Sequence, residues 1–422
     1  MRAPNPPRPP VAATAELTAS STNVFAALRH RNFQLYFSGQ LISNAGTWMQ
    51  VIAQGWLVYQ LTHSELALGL VGFASAIPSL LATPWGGVVV DRVPKRTLLI
   101  LTQTGAMLLA FILAALAFTG LVRQWHIIML AAGLGLVNSF DSPGRQAFVV
   151  EMVGREDLSN AIALNSLMFN SARVVGPALG GLLLALVGAA WCFTINGISY
   201  LAVIWGLWAM EVHPRGARVE AESPWKQLLS GVRRASEQME LGGLILISLI
   251  FSVFAISYIP LLPAFVELVL KQGVAAYGWL TAAFGLGAVA GALMIANRPR
   301  PGWHGNWLYV ANILFPIMLS AFVFNTILPL SFLLVFGMGM AFMVEYTMIN
   351  TLLQTRVDDS MRGRIMGLYT ITFLGFAPFG NLALGALSSR IGLSIAITLF
   401  ATVSLVLSQL VFRRVPEIRR LP

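Results

Sequence analysis

Four charged residues fall within apolar stretches of this chain: Asp141, Arg145, Arg173 and Glu345. A charge in hydrocarbon is costly, so each should face a cavity or a partner. Asp141 and Arg145 lie four apart, which puts them on one helical face where they can pair. That pair reads either as a structural lock at a helix end or as part of a functional site. Ser142-Pro143 between them is expected to kink or end the regular helix. Arg173 is about 22 Å into its apolar run at 1.5 Å per residue. A guanidinium does not deprotonate, so Arg173 needs a counter-group or water. Glu345 is the one acid clearly inside an apolar run of the second half of the chain. A carboxyl in a low-dielectric site can carry a proton at neutral pH. Glu345 is therefore the first candidate for proton coupling and Asp141 the second. The competing reading of Glu345 is a static pair with Arg173.

A polar stripe comes next. Gln40, Asn44, Thr47, Gln50 and Gln54 fall within an arc of roughly 120° at 100° per residue. Amides facing lipid are implausible, so the stripe meets a cavity or another helix. With Trp48 beside it, and with Arg173, Phe254, Tyr258 and Tyr346, it would line a cavity for bulky amphipathic organic molecules. Sugar phosphates and inorganic anions fit less well, because Arg173 is the only deep cation. For any single amide, hydrogen bonding between helices remains the alternative.

Other chemistries find no support. His30, His63, His126, His213 and His304 fall near the ends of apolar runs without metal-ligand spacing. The single cysteine, Cys192, reads as a small buried hydrophobe and excludes a disulfide framework. There is no phosphate-binding loop and no nucleophile constellation, so no enzyme, cofactor or metal is expected.

The elements that must position these residues are membrane spans. Hydrophobic residues make up 57% and charged residues 10% of the chain, and mean hydropathy is +0.74; soluble domains do not have this composition. Apolar runs are expected at about 33–61, 67–90, 97–120, from 125 into 138–145, 158–187 and 189–210. Six more follow at 241–268, 275–296, 307–326, 328–353, 365–387 and 391–412. Each can cross about 30 Å of hydrocarbon. The result is an all-α polytopic membrane protein with twelve transmembrane helices in two groups of six. Residues 1–27 read as a disordered cytoplasmic leader, 28–210 as the first bundle, 211–240 as a cytoplasmic linker, 241–413 as the second bundle and 414–422 as a tail.

Charge sets the expected orientation. With the N-terminus inside, 23 of the 27 Lys and Arg lie in the leader, the inner connections and the tail. Both termini are then cytoplasmic. The pI near 10.3 is a topology signal and not a nucleic-acid patch. The halves also echo one another: Val153-Gly154-Arg155-Glu156-Asp157 recurs 204 residues later as Val357-Asp358-Asp359-Ser360, Pro177 has a counterpart in Pro378, and Asn297-Arg298 echoes Asp91-Arg92. The same 204-residue offset relates Asp141 to Glu345, which would set them on opposite walls of one cavity.

The short loop Gly87-Val88-Val89-Val90-Asp91-Arg92-Val93-Pro94-Lys95-Arg96 resembles the loop signature of the major facilitator superfamily, with Pro94 where glycine is usual. Asp141–Phe148, Glu151 and Asn160–Asn165 resemble its drug and siderophore antiporter branch, which includes enterobactin-exporter-like proteins. The resemblance runs from Leu28 to about Phe412. It implies two pseudo-symmetric six-helix bundles working by alternating access. It also implies that Gly87, Asp91, Arg92 and Arg96 latch the loop to the other half in the outward-open state. Gly176-Pro177-Ala178-Leu179-Gly180-Gly181 matches the second half of an antiporter motif, with Ala172 where that motif has glycine; close helix packing alone would also explain these glycines.

The expected activity is proton-coupled export of amphipathic small molecules such as drugs or siderophores. The expected partners are substrate, protons and the bilayer, with the protein monomeric in a cell inner membrane. A solute importer of the same fold and a non-transporting membrane sensor are the alternatives.

Overall fold

The computed structural model describes residues 25–211, 232–235, 237–297 and 303–421. The expected leader, most of the linker and Arg298 lie outside the described residues.

Among the described residues there are twelve long helical segments. The first six are α1 (Arg31–Thr62), α2 (Glu65–Arg92), α3 (Lys95–Phe118), α4 (Gln124–Val153), α5 (Leu158–Val187) and α6 (Ala189–Ala209). The second six are α7 (Met239–Leu268), α8 (Val274–Ala296), α9 (His304–Phe324), α10 (Leu328–Arg356), α11 (Met361–Ile391) and α12 (Leu393–Arg414). Among the described residues, ten of the twelve are apolar enough over 18 residues to cross a membrane. The exceptions, α1 and α4, are as long as the rest. They carry the amide stripe and the Asp141–Arg145 pair.

Local chemistry sets the boundaries. Ser64 caps α2 by accepting from the Ala67 N–H at 3.3 Å. His63 turns the chain between α1 and α2 in the left-handed region, at φ 46°. Only Val93 and Pro94 separate α2 from α3. Gly188 at φ 86° joins α5 directly to α6, and Gly392 at φ 88° joins α11 to α12. These two glycines are 204 residues apart, so the sequence offset maps one corner onto its equivalent. The same offset maps Gly135 of α4 onto Gly339 of α10. A Cβ on Gly135 would stand 2.0 Å from the Ser75 carbonyl of α2, and one on Gly339 2.0 Å from the Phe284 carbonyl of α8. In both halves the fourth helix thus rests its backbone on the second.

Regularity through proline was not expected. α4 runs unbroken through Pro143. Its ring frees the Ser139 carbonyl four residues back, and Gly86 of α2 covers that oxygen. Pro177 in α5 does the same to the Arg173 carbonyl, which Gly285 of α8 approaches. The irregular helices are α7 and α11, with π-helical turns at Phe251–Ala255 and Ile371–Gly375. Ser252 of one turn donates to the Phe373 carbonyl of the other at 2.6 Å, so the two defects brace each other.

The halves meet along α2–α11 and α5–α8. Gly69 and Gly72 abut Asn381, Gly385 abuts the Glu65 carbonyl, and the Phe73 and Phe379 rings lie 5.5 Å apart. Trp56 stacks on Tyr277 at 6.2 Å. These contacts gather toward the Glu65 end of α2. At its other end Gly87 has open space where a Cβ would stand, as do Gly363 and Gly367 of α11. The close contacts between the halves thus lie at the Glu65 end of α2, and these glycines at the other end face open space.

Candidate transport site

The Asp141–Arg145 pair is a closed cluster inside the first half. Arg145 Nε approaches Asp141 Oδ2 at 2.5 Å as an ion pair without hydrogen-bond geometry. Asp141 Oδ1 accepts from Thr102 and Gln103 of α3, both at 2.8 Å. Arg145 donates to Gln40 of α1. Asp141 is 4% exposed and Tyr36, 2% exposed, stands within electrostatic reach. The opposite-walls expectation does not hold for Asp141, because α3 supplies the donors that draw its carboxylate into the bundle. The Thr102-Gln103 pair was the polar signal within span three that the sequence reading passed over.

Glu345 turns into the second half. It is fully buried, and neither carboxyl oxygen has a hydrogen-bond partner among the described residues. Tyr369 of α11 is close enough to interact electrostatically with it. Tyr369 donates to the Tyr346 carbonyl at 3.4 Å. The Phe342, Tyr346, Tyr369 and Phe373 rings form one aromatic cluster here. The static pair with Arg173 is not formed.

Arg173 instead sits among rings. Its guanidinium carbon lies 5.7 Å from the Trp48 ring centre, 5.3 Å from Phe284 and 5.0 Å from Phe342. Tyr258 of α7 is within electrostatic reach. Trp48 belongs to α1 in the first half, Phe284 and Phe342 to α8 and α10 in the second. The site therefore joins the halves. Phe284 and Phe342 were not singled out in the sequence. Phe342, one turn before Glu345, carried a usable periodicity signal; Phe284 carried none.

The amide stripe divides. Gln50 accepts from Asn196 of α6 at 2.7 Å and is buried in the first bundle, so it faces a helix and not a cavity. Thr47 reaches the Tyr200 hydroxyl at 3.4 Å. Asn44, Trp48 and Gln54 are half-buried. Tyr258 is 3% exposed and Tyr346 37%. Phe254 packs on Phe400 of α12, at 5.3 Å.

The motif glycines act as spacers. Gly176 lies against Trp48 and Gly180 against Met49, both on α1, while Gly181 lies against Gly278 of α8. The loop between α2 and α3 holds to its own half. Lys95 pairs with Glu151 at 2.6 Å, and Arg96 donates to the Trp208 carbonyl at 2.5 Å. Asp91 and Arg92 are exposed.

A two-half, twelve-helix membrane bundle with a charged site between the halves defines a multi-pass transporter. The chain belongs to the major facilitator superfamily, in the family described as transmembrane secretion effector, whose model matches residues 22–420. This is a family of transporters and not of enzymes. The chain is 24% identical to the staphyloferrin A transporter of Staphylococcus aureus, over 85% of this chain and 90% of that protein. It is 25% identical to the multidrug efflux pump Tap of Mycolicibacterium fortuitum, over 84% and 88%, and 28% identical to the enterobactin exporter EntS of Shigella flexneri, over 85% and 86%. Among solved structures, the nucleoside transporter NupG superposes with a TM-score of 0.70 at 14% identity, covering 93% of this chain and 98% of that one. A bacterial homologue of the iron transporter ferroportin gives 0.67 at 16%, covering 92% and 98%. The last two likenesses concern the fold.

Proposed function

We propose that this protein is a proton-coupled exporter of amphipathic small molecules, in the class of drugs or siderophores, working as a monomer in an inner membrane. The cation distribution supports cytoplasmic termini, which puts the parted end of the bundle at the cytoplasm and the closed Glu65 end outside. The cavity would then load substrate from within.

The observation that carries proton coupling is Glu345: a carboxyl in the membrane interior, with both oxygens unpartnered, one turn from a residue of the Arg173 cage. An ionised carboxylate without partners is costly there, so the closed pocket suits the protonated acid. Outward opening that wets the α10–α11 contact would let that proton exchange. Protons and substrate would then favour different orientations of one two-state machine, which is what coupling requires.

The experiment is efflux from proteoliposomes containing the purified protein, with an imposed pH gradient and then an uncoupler. Gradient-driven efflux should collapse with the uncoupler. Glu345→Gln should lose gradient-driven efflux while keeping substrate exchange at zero gradient. Unchanged gradient-driven efflux in Glu345→Gln would overturn the coupling role.

A further inference from the structure

Of the cations inside the bundle among the described residues, Arg173 is left without an ionic answer. Asp141 and Arg145 pair with each other, Lys95 has Glu151, and Glu345 is fully buried away from Arg173. Among the described residues, no carboxylate lies within salt-bridge distance of Arg173 and no acceptor takes a hydrogen bond from it. Its nitrogens are not among the buried atoms that lack a partner, and the residue is only half-buried, so its N–H edges reach open space. The three rings engage the cation through their π-systems, each within 6 Å. They leave its N–H groups unpaired. A planar fork of free donors with aromatic walls matches one acidic group carried on an aromatic or apolar body.

We infer that Arg173 receives the acidic group of the substrate, and that the transported molecules are organic anions of the aromatic carboxylate type and not organic cations. The inference rests on the transport reading above and adds the sign of the charge. One cation offers one bidentate contact, so one acidic group of an aromatic molecule would be seated there, with the aromatic body against Trp48, Phe284 and Phe342. An organic cation would meet an unneutralised positive charge at the same place, since among the described residues no carboxylate lies within salt-bridge distance of Arg173. Because the cage draws on both halves, a bound anion would also touch both, as a substrate must if it is to affect their relative position.

The test uses two dyes of opposite charge, carboxyfluorescein and ethidium. Fluorescence anisotropy would measure their binding to the full-length protein in detergent, for the wild type, Arg173→Lys and Arg173→Gln. The wild type should bind carboxyfluorescein. Loss of a hydrogen-bonded charge should weaken that binding about 10- to 100-fold in Arg173→Gln. Arg173→Lys should lose less, and ethidium binding should stay level or rise. Three results would overturn the inference: no carboxyfluorescein binding by the wild type, equal carboxyfluorescein binding by wild type and Arg173→Gln, or equal losses for both dyes in both variants, which would mark a structural residue. Vesicle efflux separates this from the transport reading. The expected binding pattern without movement of either dye would leave the anion site standing and refute transport. Movement of ethidium alone would support transport and refute the anion site.

Discussion

Gly181 of α5 and Gly278 of α8 meet backbone to backbone across the two halves: a Cβ on Gly278 would stand 2.6 Å from the Gly181 Cα. Nothing larger than glycine lets the helices approach this closely. The contact lies beyond Arg173 toward the closed end, so it is a seam that must part when that end opens.

Gly278→Val is therefore expected to hold the seam apart. Overpacking at a tight contact costs about 1–3 kcal/mol, enough to shift a two-state population about 5- to 150-fold. Spin labels placed near residues 65 and 385 should report longer distances in the variant, with the protein still folded. Unchanged distances would mean that the seam does not govern closure.

The Asp141–Arg145 cluster should matter to stability first. Asp141→Asn leaves a partly buried guanidinium without its counter-charge. The loss should be about 3 kcal/mol, at the lower end for a broken buried pair because Arg145 keeps some exposure. Thermal unfolding of the purified protein would show a lowered Tm, and Arg145→Gln added to Asp141→Asn should recover part of it. A Tm equal to wild type would point away from a structural lock.

Gly188 and Gly392 offer a test of the repeat that does not involve packing. Both have positive φ and open space around the would-be Cβ. Alanine at either should cost about 1–3 kcal/mol through backbone strain alone. The two Tm shifts should be alike, since the corners are equivalent; a large difference would separate their roles.

Asp91 is exposed here, and Arg96 is occupied by the Trp208 carbonyl of its own half. If Asp91 grips the other half only in the alternate orientation, Asp91→Asn should favour the form described above. One charged hydrogen bond of about 1.5 kcal/mol corresponds to about a tenfold population change. Alkylation of a cysteine introduced at position 87 should then be faster. The native Cys192 is buried and should give little background. Equal alkylation rates would remove the latch role.

How far the chain could be read depended on the range of the interaction. The bounds of α5 match the expected run from Leu158 to Val187 because Asp157 and Gly188 end the apolar stretch sharply. The helix does not end at Pro143, where a glycine on a neighbouring helix covers the freed carbonyl, and that compensation is invisible along one chain. Gln50 was legible as a residue that avoids lipid. Its partner Asn196 lies 146 residues away, and periodicity does not say which neighbour a polar face meets.

The sequence by itself determined the membrane class, the twelve spans and the repeat, because these follow from local hydrophobicity, chain length and an offset visible in the numbering. Only the tertiary structure decided the fate of the charges. Asp141 and Glu345 share an offset but turn into separate bundles, since α3 supplies donors to one while the other is fully buried within electrostatic reach of Tyr369 on α11. Arg173 was readable as a costly cation. That three aromatic rings from both halves would answer it, with no carboxylate, depended on the packing of α1, α5, α8 and α10, helices distant in sequence that the tertiary fold brings together.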